Sequence, residues 1–335
     1  MKLLLTYYKE HLPLVLLALI LAATNITFSF LDPYFYRIII DDYATKFKEY
    51  DTATFFRGIT LLLAGIVGVA MISRIAKNFQ DYFVNVIVQK VGSKIYTDGI
   101  RHTLQLPFQS FEDQRSGETL GILQKVRADI ERLTNLFINI IFSAIVAITF
   151  VTIYAIKVYW VLAPFYLSTV PLIIGISFFL STKIKKIQKS IVSETTSLAG
   201  STTESLRNIE LIKGLGLAQQ EINRLNLNTD KILQLELKKV KYIRTLSFIQ
   251  GTILNLIRTS LSFIMLYHIF KGHISVGEFF SLFLYSFYIF SPLQEVGTFI
   301  NSYREAEISL ENFEKLLKQP IEPKPLHPAT ITEVD

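Results

Sequence analysis

Residues Ser205–Arg224 read "SLRNIELIKGLGLAQQEINR", within a 63-residue stretch from Lys183 to Thr245 that has no proline and only three glycines. Apolar residues in this stretch fall at Ile184, Ile187, Ile191 and Leu198, then at Ile222, Leu225, Ile232 and Leu235. Spacings of three, four and seven draw one apolar stripe along a helix whose other faces carry Lys, Glu, Gln and Ser. Two such helices pack together in water. Gly214 and Gly216 supply the stop of the first and the turn into the second. The pattern predicts a helical hairpin with arms at about 183–213 and 217–245, each roughly 45 Å long at 1.5 Å per residue.

The segments on either side of this hairpin are far less polar. Half of the 335 residues are apolar, and they gather into runs of about the 20 residues a bilayer-crossing helix needs. Six runs stand out: Leu12–Leu31, Phe55–Ala76, Leu136–Ile156, Trp160–Ser181, Leu246–Phe270 and Val276–Ile300. "LPLVLLALILAA" does not alternate apolar with polar residues, which argues against strands of a membrane β-barrel. The first run is too long for a secretory signal and ends at Asp32-Pro33, not at a small-residue cleavage site. The expected fold is an all-α membrane protein with six transmembrane helices and long cytoplasmic extensions.

Charge sets the expected orientation. Segments 77–135 and 182–245 carry eight and twelve Lys/Arg, whereas the three short loops on the opposite side carry Lys46, Lys48, Lys157 and Lys271. "KIKKIQK" and "KKVKYIR" flank spans directly, where the positive-inside rule is strongest. Both termini are therefore expected in the cytoplasm, with the chain in the cell (inner or plasma) membrane. The net charge of +6 reads as a topology signal, not as a nucleic-acid surface. Cysteine is absent, and the five histidines are scattered without metal-ligand spacing, so no metal site is expected.

The segment between the second and third runs repeats the hairpin less evenly. One helix runs to Pro107, the connector "FQSFEDQRSG" follows, and a new helix starts near Glu118. A self-contained helical bundle would explain both hairpins. So would a pair of rigid levers whose tips pass displacement into the spans.

At these tips the sequence resembles the transmembrane domain of ABC exporters of the six-span half-transporter kind. In 104–133, Leu106-Pro107, Phe111, Asp113, Gly117-Glu118 and Asp129 match the first cytoplasmic loop of that family. "SLRNIELIKGLGLAQQE" resembles the second loop. Gly272, Gly277 and Pro292 match the start of the sixth span, and "DPYFYRIIIDD" (32–42) the end of the first. Gln124 and Asn312 replace arginines usual in the family. The resemblance implies two coupling helices seated in a nucleotide-binding domain. The first would hold Pro107, Phe111, Glu112, Asp113 and Gly117, and the second Lys213, Gly214, Leu215, Gly216 and Leu217. It also implies a pathway formed with a second transmembrane half, as a homo- or heterodimer, and moved by ATP and Mg2+ bound in the nucleotide-binding domain.

No Gly-Lys pair occurs anywhere, so the phosphate-cradling loop G-x-x-x-x-G-K-[ST] is missing from these residues. Pro320, Pro323, Pro325 and Pro328 crowd the final 16 residues, which read as an extended linker. The expected division is a transmembrane domain over 1–318 and a linker over 319–335 leading to a nucleotide-binding domain on the same polypeptide.

Ionisable residues at bilayer depth invite a functional reading. Arg258 lies 12 residues into the fifth run, at a depth where insertion scales charge about 2.5–3.5 kcal/mol. Asn25, Tyr285 and Tyr288 fall at similar depth, and the four are candidates for a polar pathway favouring anionic or amphipathic cargo, while the 26 Phe and 16 Tyr would suit hydrophobic cargo. Arg258 could equally be helix glue, bonding neighbouring carbonyls or asparagines. Membrane lipid is the other expected partner. An ion-coupled secondary transporter would show inverted repeats and midplane acidic sites, and neither is visible. A membrane domain of this kind acting as a channel or regulator stays open.

Overall fold

The computed structural model describes residues 2–107 and 116–322. Among them every regular element is a helix. In chain order these are α1 (Lys2–Lys9), α2 (Leu12–Ser29), α3 (Leu31–Ile38), α4 (Thr52–Thr103), α5 (Ser116–Leu136), α6 (Ser143–Tyr159), α7 (Ala163–Arg207), α8 (Ile209–Gly214), α9 (Ala218–Phe270), α10 (Val276–Gln294) and α11 (Val296–Leu317). Single π-helical turns at Ile39–Ala44 and Phe137–Phe142 join α3 to the following loop and α5 to α6.

Among the described residues, five helical stretches are long and apolar enough to cross a bilayer: Leu12–Ala44, Thr52–Thr103, Thr119–Arg207, Ala218–Phe270 and Val276–Leu317. The third is 89 residues long. It is broken at Tyr159, whose backbone is extended (φ −159°, ψ 109°), and at the 3₁₀ turn Trp160–Leu162. Pro164, in the first turn of α7, needs no backbone donor there.

The chain divides into two compact units. The first holds Met1–Phe35, Phe47–Ala147 and the segment from Thr298 onward. Its core joins Ala18 and Ala22 of α2, Val84, Ile87, Val91 and Ile95 of α4, Leu123, Val126 and Ile130 of α5, and Ala306, Leu310 and Phe313 of α11. Small side chains on α2 let two backbones approach closely, as membrane helices require. Polar pairs fix the register: the Ser73 hydroxyl donates to Asn25 Oδ1 at 2.8 Å and shares a hydrogen bond with Ser29 at 2.7 Å. Lower on α4, the Tyr7 hydroxyl of α1 donates to Asp98 at 3.2 Å. Burial and the Asp98 charge both push this phenol above its ordinary range.

The second unit holds Tyr36–Lys46 and Ile148–Gly297. The Tyr166 hydroxyl of α7 donates to the Leu282 carbonyl at 2.9 Å, and Gln250 of α9 donates to Ser177 of α7 at 2.7 Å. Both pairs are buried, where an unmet polar group would be costly.

Three boundaries and one packed position differ from the sequence reading. The α4 helix ends at Thr103, not Pro107, because the residue before a proline disfavours helical backbone and Leu106 closes a turn onto Thr103 instead. The first hairpin arm ends at Arg207, not 213. Asn208 leaves the helical region (φ −101°, ψ 22°), and its carbonyl starts the separate helix α8 by accepting from Ile212 N–H. The sixth run is two helices, broken at Glu295 just after Pro292. Proline removes the helical donor, and the Glu295 N–H turns back to the Pro292 carbonyl. Ile222, placed on the packed stripe by its spacing, is exposed close to the tip turn, while Ile184, Ile187 and Ile191 are buried as expected.

Candidate functional site

The hairpin tip is built by backbone geometry. The Leu217 N–H donates to the Ile212 carbonyl (2.9 Å) and the Gly216 N–H to the Lys213 carbonyl (3.1 Å). This pair of bonds is a Schellman closure, which needs a left-handed residue after the helix. Gly216 provides it at φ +67°. Lys213 and Gly214 thus finish α8, Leu215 caps it, and Gly216 and Leu217 make the turn into α9.

Below the tip the arms are tied side chain to side chain. Glu221 of α9 accepts from the Ser205 hydroxyl of α7 and, at 2.5 Å, from Arg224. The Arg224 guanidinium, with Ser205 second, holds the Glu221 carboxyl below its usual range. Further along, Lys231 of α9 pairs with Glu194 of α7 at 2.6 Å. Above these clamps the tip presents apolar side chains: Leu211 and Leu215 are 63% and 62% exposed, and Leu206, Ile209 and Leu217 are exposed as well. An exposed apolar cluster of this kind marks an interaction surface.

On the first hairpin, Pro107 is half-buried beside the buried Leu106, and Gly117 lies in the first turn of α5. Phe111, Glu112 and Asp113 lie outside the described residues.

The pathway candidates fall into different settings. Asn25 is in the first unit and engaged by Ser73. Tyr285 is wholly buried in the second unit, edge-on to Phe150 and Tyr154. Tyr288 is exposed on α10. The Arg258 guanidinium donates to Asn255 and lies over the Phe287 ring, 4.2 Å from its centroid.

A polar junction at the N-terminus of α10 was assigned no role by sequence. Glu278 Oε1 accepts from Arg37 at 2.6 Å while its other oxygen accepts from Ser275 N–H at 2.8 Å. Asp41, in the π-helical turn, accepts from Gly277 N–H at 2.8 Å and from the Ser275 hydroxyl at 2.5 Å. Arg37 also donates to Tyr154, which bonds Ser281 of α10. A carboxylate here meets both the free N–H groups and the positive end of the helix. The capping box Ser275–Glu278 is legible as S-x-x-E. Its pairing with Arg37 is not, because 241 positions separate the partners.

Residues 15–293 match the family model of the ABC transporter transmembrane region. The chain belongs to that family. Among curated relatives of this ABC transmembrane chain is a multidrug resistance ABC transporter ATP-binding and permease protein of Lactococcus lactis subsp. lactis (strain IL1403). It is 22% identical over 264 residues, covering 78% of this chain and 44% of the relative. A lactococcin-A transport/processing ATP-binding protein of Lactococcus lactis subsp. lactis is 19% identical over 313 residues, covering 92% and 42%. A putative export ATP-binding/permease protein of Rickettsia bellii (strain RML369-C) is 24% identical over 221 residues, covering 64% and 38%. The chain therefore spans about two fifths of the length of these relatives.

Proposed function

We propose that this chain is the membrane-spanning half of an ATP-driven exporter. The break at Tyr159 divides the 89-residue stretch into two crossings, giving six in all, with both termini in the cytoplasm of a cell whose plasma or inner membrane holds the protein. Residues 1–318 form the transmembrane domain, and the proline-rich residues 319–335 lead to a nucleotide-binding domain on the same polypeptide. ATP and Mg2+ belong to that domain, since these residues hold no Gly-Lys pair with which to cradle phosphate. A second transmembrane half completes the pathway, and the cargo is hydrophobic or amphipathic.

One observation carries this reading. The tip at Ile209–Leu217 exposes its leucines at the end of helices that run without a break into apolar spans. From Lys183 to Arg207 the arm is roughly 37 Å long at 1.5 Å per residue. Two helices clamped by Glu221 and Lys231 transmit a push along their length, whereas a loop of the same length would absorb it. The connector around Pro107–Gly117 is the second contact point. The ATP-binding/permease and export descriptions of the relatives accord with this assignment.

The test replaces Leu215 by Glu in the full-length polypeptide reconstituted in vesicles. Hydrolysis is expected to continue while cargo movement per ATP falls about tenfold or more, with insertion unchanged. An unaltered ratio of transport to hydrolysis would refute the docking tip. Hydrolysis in the wild type without vectorial movement would favour a channel or regulator instead.

A further inference from the structure

We propose that the face of α10 bearing Phe279, Phe283 and Phe287, with Arg258 of α9 at its inner end, binds an amphiphile carrying one anionic group on a long apolar body. The inference rests on the transport reading above and names the class of cargo. Arg258 lies 12 residues before the outer end of α9 at Phe270, and Phe287 lies 11 residues after the start of α10 at Val276. At 1.5 Å per residue both are roughly 17–18 Å deep, near the middle of a hydrocarbon layer about 30 Å thick. The two helices assign this depth independently.

An arginine at that depth faces a bundle interior or a water-filled cavity, not acyl chains. Arg258 is only half-buried within the chain, beside the exposed Phe287 and Tyr288. Asn255 takes one of its five N–H donors. The Phe287 ring covers one face of the guanidinium at 4.2 Å. Among the described residues Arg258 enters no ion pair, although eleven are formed elsewhere. The charge is thus held in place and left uncancelled.

The aromatic strip gives the ligand its apolar half. Phe279 and Phe283 stack with centroids 6.0 Å apart, and Phe283 meets Phe287 edge-on at 5.4 Å. At four-residue spacing the three rings line one side of α10 for roughly 12 Å. The other side, with Ser281, Tyr285 and Ile289, is buried in the second unit. An apolar chain along the rings would bring a phosphate or carboxylate to the planar guanidinium fork, which suits bidentate binding of such groups. A cationic amphiphile would meet the same rings and be repelled at their inner end.

The test uses a photoreactive dodecyl phosphate added to the chain in phosphatidylcholine nanodiscs, with adducts mapped by mass spectrometry. Adducts are expected on peptides from α10 and α9. Arg258→Gln should lower them about tenfold and Arg258→Lys about threefold or less, and a dodecyltrimethylammonium analogue should give only background. Full competition by phosphatidylglycerol in the discs would show the face to be filled by resident lipid and would overturn the cargo assignment; labelling that survives phosphatidylglycerol is the expected result.

Labelling spread evenly over all apolar helices, equal labelling by the cation, or no change in Arg258→Gln would overturn the proposal. So would cross-linking of this face to a second copy of the chain. If Arg258→Gln fails to fold, as judged by melting, Arg258→Lys against the two probes still decides. No nucleotide is needed, so failure here leaves the coupling experiment standing, and failed coupling leaves the labelling readable.

Discussion

Replacing Gly277 by alanine tests how the N-terminus of α10 is seated. A Cβ at this position would lie 2.5 Å from the Arg37 carbonyl oxygen and 2.7 Å from the Asp41 carboxyl group. Neither obstacle is the free end of a flexible chain: one is backbone, and the other is fixed by Ser275 and Gly277. Restoring ordinary contact requires a shift of roughly 0.8 Å, which would stretch the 2.8 Å Gly277–Asp41 bond past useful length. Losing a hydrogen bond to a charged group costs about 1.5–3 kcal/mol, and overpacking costs about 1–3 kcal/mol. The two overlap, so a total of about 2–4 kcal/mol is expected. That corresponds to a melting temperature lower by roughly 4–16 °C for a unit of 150–250 residues. Trp160 fluorescence during melting in nanodiscs reads the second unit directly. In an Asp41→Ala background the same change should cost less, because one obstacle and its bond are already gone. A Gly277→Ala protein melting within 1 °C of wild type, or strict additivity with Asp41→Ala, would refute the reasoning.

Two further outcomes follow from the tip. Gly216→Ala forces an L-residue to φ +67°, costing about 1 kcal/mol; amide exchange across 209–218 should quicken roughly fivefold while the buried core of the second unit is unchanged. Arg224 and Ser205 hold the Glu221 carboxyl below its ordinary value of 4.5, so the folded state favours the ionised form. That contribution is present above pH 4.5 and is lost as pH falls through the folded value. Amide protection between Ser205 and Arg224, taken against the unstructured rate at each pH, should therefore fall on acidification below 4.5, and Glu221→Gln should remove that change in protection.

The apolar runs and the polar hairpin were legible because both rest on local pattern. Run length reports bilayer thickness, and three-four spacing reports a helix stripe. Ile184, Ile187 and Ile191 are buried as their spacing requires. Boundaries were less legible. The stop at Asn208 and the start of α8 depend on one carbonyl choosing a partner four residues on, where the glycines at 214 and 216 give the louder signal. Long-range partners leave no trace in spacing. Arg37, Asp41 and Glu278 are joined by no spacing in the sequence, and only the fold brings them to one helix end. Tyr285 shows the reverse: its depth suggested a pathway position, yet the ring is wholly buried against Phe150 and Tyr154. Depth along a helix is readable from sequence, but rotation about the axis is set by neighbours.

These 335 residues hold no cysteine, so Leu215→Cys places a single thiol in them, at the tip, and peptide mapping separates its adduct from any elsewhere. Membrane-impermeant maleimide applied to intact cells and to inside-out vesicles then reads the side on which that tip stands. The account predicts labelling in the inside-out vesicles, slowed while the tip is seated on its docking partner, and none in intact cells. Labelling from the outside would contradict it.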